Sequence, residues 1–395
     1  MSVANKINQM IEWSSFIRKM FEQWSKLKSK HGAKNVFDFS IGNPNLKPPK
    51  EFKDELKKLA NNNDDEWFHQ YMPNAGYSFV RESIAKYVSK EQEIPISKEQ
   101  IIMTCGAAWA LNTIFKAILN PWEEVLVPIP CFVEYKFYID NHSGIFKSVQ
   151  TNEDFSLDIE AIEKAINNKT RVLLINSPNN PTGHIYSKES LEKLGKLLNK
   201  KSRKFWNIIY LVSDEPYRKI VYDGVNVPSI FKSYSDSIIV TSYSKDLSIP
   251  GERIWFLAVN PNAKFCDKLI NAMIFTNRIL GYVNAPAIMQ RVLVNIQGKS
   301  VDVLKYKQKR DLLCEGLLKF WYQFEIPKGT FYLFVKSPIK DDVKFVKILQ
   351  DELILVVPWS WFMWPWYFRL SYCVDDSTIK NSFSGFKRAM DRCKN

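Results

Sequence analysis

The chain has 395 residues, a formal net charge of +13 and 46% hydrophobic residues, enough apolar material for one large and one small domain. No apolar run reaches the roughly 18 residues of a membrane-spanning helix, and residues 1–20 lack an export signal's apolar stretch and cleavage site. That start reads as an amphipathic helix of a cytoplasmic protein. Six cysteines without a Cys-x-x-Cys pair argue against a disulfide framework, and His31, His69, His142 and His184 lie too far apart for a metal site. The lysines spread over helical stretches such as 193–204 and 305–310 with no basic-aromatic motif beside them, so the positive charge reads as solvated helix faces, not a nucleic-acid surface.

Strand-like apolar runs follow one another along the chain at 100–104, 124–128, 171–175, 208–212, 237–241 and 254–259, with helical patterns between them, the first at 107–119. Runs that are apolar throughout and separated by helices predict a mostly parallel sheet covered on both faces. Beyond about residue 295 the pattern changes to a basic helix followed by short strands and helices. This gives a large domain over 48–294 and a smaller one from 1–47 and 295–395.

Ligands of open α/β sheets sit outside the carboxyl ends of the strands, so the residues just past each run form a candidate site. Past the first run, Cys105-Gly106-Ala107-Ala108 opens a helix whose N–H groups can face an anion. Past the second comes Phe132, able to stack on a flat ring. The third leads into Asn176-Ser177-Pro178-Asn179-Asn180-Pro181-Thr182-Gly183, a turn-rich loop with amide donors. The fourth delivers Asp214, costly to bury without a cationic partner such as a protonated ring nitrogen, and then Tyr217. The fifth ends in Ser242-Tyr243-Ser244-Lys245, with Arg253 eight residues on. A lysine amine there can form a Schiff base with an aldehyde cofactor, beside hydroxyls and a guanidinium suited to phosphate. Each piece alone has a dull explanation in turns, core packing or surface charge; the five in this order do not.

On these residues, and on Phe37-Asp38-Phe39-Ser40-Ile41-Gly42-Asn43-Pro44 and Tyr367-Phe368-Arg369-Leu370-Ser371-Tyr372, the chain resembles the class I/II pyridoxal-phosphate-dependent aminotransferases. The resemblance implies an α/β protein of fold type I. Its large domain would hold a mostly parallel seven-stranded sheet, its smaller domain would be α+β, and the protein would be a homodimer. It implies pyridoxal 5'-phosphate as cofactor and exchange of an amino group between an amino acid and a 2-oxo acid. Lys245 would be the Schiff-base lysine and base, Asp214 the partner of the ring nitrogen, and Tyr217 and Asn180 the ligands of the ring oxygen. Phe132 would stack on the ring; Ala107, Ala108, Ser242 and Arg253 would hold the phosphate, with Tyr71 reaching the phosphate of the neighbouring subunit. Arg369 would bind the substrate carboxylate, helped by the backbone at Gly42. A C–S lyase or decarboxylase on the same fold, or a non-catalytic regulatory protein, are the other readings. Intact Lys245, Asp214 and Arg369 count against the last.

Tryptophan is where the sequence departs from that pattern. Trp109, Trp122, Trp255, Trp321 and the cluster Trp359, Trp361, Trp364 and Trp366 stand where the family carries glycine. In Asn120-Pro121-Trp122-Glu123 a type II turn puts Trp122 at positive φ, and Trp321 follows a helix end where a left-handed cap is expected. Only 14 residues are glycine; with the 12 tryptophans the total approaches the usual share of about 7%. The expectation is that most of these tryptophans are encoded by UGA in a lineage that reads UGA as glycine. The rival reading takes the cluster as an aromatic membrane or partner patch.

Overall fold

The computed structural model describes residues 3–62 and 68–393, without the side chains of 12–19 and 21. Helix Asn5–His31 opens the chain, while the amphipathic pattern expected over 1–20 rests largely on side chains outside the described residues. Among the described residues no helix is long and apolar enough to cross a membrane.

Seven strands build the central sheet: β1 (Ile101–Thr104), β2 (Glu124–Ile129), β3 (Ile145–Gln150), β4 (Thr170–Asn176), β5 (Tyr210–Asp214), β6 (Ser237–Ser242) and β7 (Trp255–Val259). Their order is β1-β7-β6-β5-β4-β2-β3, parallel except for β7, which runs against both its neighbours. The apolar runs become strands because both faces are covered. Alternate residues of one strand enter two separate cores: Leu173, Leu211, Ile239 and Phe256 on one side, Val172, Leu174, Val212, Ile238 and Leu257 on the other. Two expectations shift. The 208–212 run pairs only from Tyr210 to Asp214, which carries the acid into the strand's last position. Strand β3 corresponds to none of the apolar runs, because Ile-Phe-Lys-Ser-Val-Gln is an edge strand with much of its surface in water.

A second sheet, antiparallel, has the order β10-β11-β9-β8, from β8 (Gln323–Phe324), β9 (Tyr332–Lys336), β10 (Val357–Pro358) and β11 (Tyr367–Ser371). Its core draws in Phe39, Tyr217 and Ile220 from elsewhere in the chain, and Phe37–Asp38 pairs in parallel with Ile354–Leu355. Two segments far apart in sequence, 37–42 and 367–371, are thus brought against the central sheet's strand ends.

Trp122 takes φ 71° in a turn closed by Glu123 N–H donating to the Asn120 carbonyl at 3.2 Å, and Trp321 takes φ 69° just past helix Val303–Leu318, as expected. Trp206, the cap of helix Lys188–Phe205, has φ 51°, and Trp366 has φ 71°. The first three are largely in solvent, 71%, 76% and 96% exposed for Trp122, Trp321 and Trp206, so little packing offsets the backbone cost. A side chain in the left-handed region costs roughly 1–2 kcal/mol that glycine does not bear. Replacing Trp122, Trp206 or Trp321 by glycine is therefore expected to raise stability by about 1 kcal/mol each. Replacement by alanine, which keeps Cβ, should gain less; urea unfolding of the single variants measures both.

Candidate active site

Strands β4 and β5 end level, with Asn176 opposite Asp214, while β6 passes Asp214 at Val240 and runs on to Ser242. Because β7 is antiparallel, its first residue, Trp255, lies at this same end, opposite Thr104 and Ser242. The loops beyond these ends, with 40–42, Tyr332 and Arg369 from the other side, enclose a cavity of about 470 Å³. Gly42, Ala107, Ala108, Phe132, Asn180, Asp214, Tyr217, Ser242, Lys245, Arg253 and Arg369 all line it. Every predicted site residue except Tyr71 is brought together. Tyr71 is 95% exposed and lines a different cavity, with Tyr282, Val283 and Asn284. A larger open cleft of about 870 Å³, between Phe155, Phe324 and Tyr367, gathers none of the predicted residues.

Lys245 sits in the short helix Tyr243–Asp246, capped by Ser242 Oγ accepting from Ser244 N–H at 2.9 Å. Its Nζ donates to the Gly42 carbonyl at 2.9 Å. Burial lowers the amine to about pKa 8, with Cys373 pulling it up and Arg369 and Arg253 pushing it further down. Gly42 can lie this close because it lacks Cβ, which would fall 1.8 Å from the Tyr332 hydroxyl oxygen.

Asp214 is buried, and burial raises it to about pKa 7, against the lowering effect of a hydrogen bond from Tyr135. Glu215 adds to the rise. The Tyr135 hydroxyl donates to Oδ2 at 2.6 Å, while Oδ1 is buried with no partner. Asn176 Nδ2 donates to the Asp214 carbonyl at 2.7 Å, and Asn176 Oδ1 accepts from Asn180 N–H at 2.7 Å, which ties the two loops together. Burial holds Tyr217 well above the usual phenol range, and its hydroxyl donates to that of Tyr332 at 3.1 Å.

At the opposite end, Gly106 leads into helix Ala107–Ile118 with φ 153°, and a Cβ there would meet Arg253 Nη2 at 2.6 Å and the Trp255 ring at 2.3 Å. The helix N-terminus, Ser242, the unpartnered Ser244 Oγ and Arg253 make an anion cradle. Arg369 reaches the cavity from β11. Its Nη1 donates to Asn180 Oδ1 at 2.9 Å and its Nη2 to the Ser40 carbonyl at 3.0 Å, with the guanidinium over the Tyr332 ring at 4.5 Å.

The walls thus fit a flat ring with an anion at one end and a basic nitrogen at the other. The Asp214 oxygen left without a partner would suit such a nitrogen, and the Lys245 amine of lowered pKa lines the same cavity. Ser244 belongs to the hydroxyls beside Lys245 that the sequence marks as suited to phosphate, while Ser40, Tyr135, Tyr138, Asn176 and Tyr332 carry no role there. Asn176 lies inside a stretch already singled out, so the strand-end rule could have found it; Tyr332 lies on a strand of the other sheet, with no local signal.

The family description "Aminotransferase class I and II" matches residues 34–384. A probable aspartate aminotransferase of Methanocaldococcus jannaschii is 30% identical over 365 residues, covering 90% of this chain and 94% of that protein. The aspartate aminotransferase of Thermotoga maritima is 30% identical over 345 residues, covering 86% and 87%. Among solved structures, an amino transferase from Eubacterium rectale superposes with a TM-score of 0.96 at 37% identity, covering both chains completely. The chain belongs to the class I and II aminotransferases, enzymes that transfer amino groups with pyridoxal 5'-phosphate.

Proposed function

We propose that this transaminase works through Lys245, Asp214 and Tyr217, with the α-carboxylate of its amino acid and 2-oxo acid substrates held by Arg369. The observation that carries the assignment is the presence, in one cavity, of a half-buried amine lowered to about pKa 8 and a buried carboxylate whose Oδ1 has no partner. Pyridoxal phosphate bound there supplies an aldehyde that captures amines and a ring that draws electron density from the substrate's Cα.

The chain's own residues do the rest. Lys245 Nζ takes the proton from Cα and returns it when the reaction runs backward, a task suited to an amine near neutrality. Asp214 Oδ1 holds the proton on the ring nitrogen, and Tyr217 with the Asn180 amide donates to the ring oxygen. Phe132 covers one ring face. Ala107 and Ala108 at the helix start, Ser242 and Arg253 hold the phosphate. Arg369, already fixed by Asn180 and Ser40, offers its fork to the carboxylate and so sets the Cα–H bond towards Lys245. Gly42 seats Lys245 through its carbonyl.

The working unit is a cytoplasmic homodimer in this reading, with 48–294 as large domain and 1–47 with 295–395 as small domain. Exposed Tyr71, together with exposed Phe275 and Ile279 on helix Cys266–Ile279, supports a subunit contact through which Tyr71 meets the neighbour's phosphate. All six cysteines are free thiols, which suits a reducing compartment.

Lys245→Ala is expected to abolish transamination, assayed as 2-oxo acid exchange over a panel of amino donors with 2-oxoglutarate; retained exchange would refute the assignment. In the apoprotein, labelling of Lys245 by a small amine-reactive ester should rise with a midpoint near pH 8, well below that of exposed lysines, because the neutral amine is the reactive form. Peptide mass mapping across pH reads this out. Arg369→Lys keeps the charge and loses the fork. It should raise KM for the amino acid by roughly 10- to 100-fold with a smaller effect on kcat. An unchanged KM would move the carboxylate site elsewhere.

A further inference from the structure

We infer that Tyr135 is a positioning residue that aims Asp214 at the ring nitrogen, and this rests on the role proposed for Asp214. The phenol is fully buried at the start of helix Tyr135–Asp140, beyond β2, and spends its only proton on Asp214 Oδ2 at 2.6 Å. With that oxygen engaged, the carboxylate cannot rotate freely and Oδ1 is the one left to face the cavity. The same ring packs edge-on against Phe132, centroids 5.5 Å apart at 79°. One side chain therefore braces two of the groups assigned to the cofactor ring, Asp214 by a hydrogen bond and Phe132 by contact. The titratable groups around the carboxylate are Glu215 beside it, Tyr138 beyond Tyr135, and Tyr217 on the following loop, with Lys245 across the cavity. Tyr135 is the only one of these bonded to Asp214.

Tyr135→Phe keeps the edge contact and removes the proton. Pyridoxal phosphate binding to the apoprotein, followed by absorbance from pH 5 to 9, is expected to weaken roughly tenfold near neutrality. Its acid-side loss should move to higher pH, because Asp214 without its donor stays protonated further up the scale. Affinity and pH dependence equal to the parent's, in a series where Asp214→Ala weakens binding, would overturn the inference and leave the Asp214 assignment standing. If Asp214→Ala also binds like the parent, the role of Asp214 fails and Tyr135 with it. A purely structural Tyr135 would lower the apoprotein's melting temperature without moving the pH profile.

Independently, the backbone assigns glycine, in the native protein, to four positions written here as tryptophan: 122, 206, 321 and 366. All four lie at φ between 51° and 71°, a region a bulky side chain seldom enters. A gene that uses UGA for glycine accounts for all four at once. Sequencing is expected to find UGA at each; UGG at any of them overturns the inference. The chain with glycine at all four should melt higher than the tryptophan form. A lower melting temperature would count as refutation.

Discussion

Two groups of opposite charge type, Lys245 and Asp214, line one cavity without pairing, and the rest of the structure serves that separation. Had Lys245 bonded Asp214, each would hold the other ionised, the amine high and the acid low. Burial instead moves them towards each other, the amine to about 8 and the acid to about 7, and neither figures among the other's perturbing neighbours. Each has a different partner: the Gly42 carbonyl for the lysine, the Tyr135 hydroxyl for the acid. The amine is left basic enough to move a proton, and the acid keeps one oxygen for a ligand.

That separation is a consequence of topology. Asp214 ends β5 and Lys245 lies three residues past β6, its parallel neighbour, so the two leave adjacent strand ends on different loops. The reversed strand β7 adds Arg253 and Trp255 at the same end. Without the smaller sheet the cavity would lack one wall, since Tyr332 and Arg369 stand opposite each other's neighbours on β9 and β11, Phe334 facing Arg369. Arg369 and Lys245, the residues proposed to bind the substrate carboxylate and to move the proton, are thus carried by different sheets.

Much of this was legible in the sequence. Apolar runs covered on both faces announce the central strands, and the strand-end rule leads from the sequence to Asp214, Lys245, Arg253 and Asn180. What escaped depends on packing. Strand β3 is half in water and so carries no apolar run. Tyr135 reads as one more aromatic in Phe132-Val133-Glu134-Tyr135, and its function comes from where Asp214 happens to lie. Tyr332 matters because residue 42 has no Cβ, a fact about two segments 290 positions apart. Tyr71 was legible as chemistry, yet it points away from its own chain's cavity.

The consecutive acids Asp214 and Glu215 show how the fold chooses between chemically similar groups. Alternation along the chain sends them to opposite sides. Glu215 meets Arg218 Nη1 at 2.9 Å and the Ser213 hydroxyl at 2.9 Å, so both its oxygens are satisfied. Arg218 is shared with Glu91, and nearby Lys219 pairs with buried Asp246 at 2.9 Å, so the charges behind the site are largely compensated among themselves. Asp214 receives one neutral donor and no cation. A buried carboxylate provided for in that way is incompletely satisfied by the protein alone, and a protonated ring nitrogen would bring the missing positive partner. Glu215, next to it in the chain, is already satisfied and has nothing to offer such a ligand.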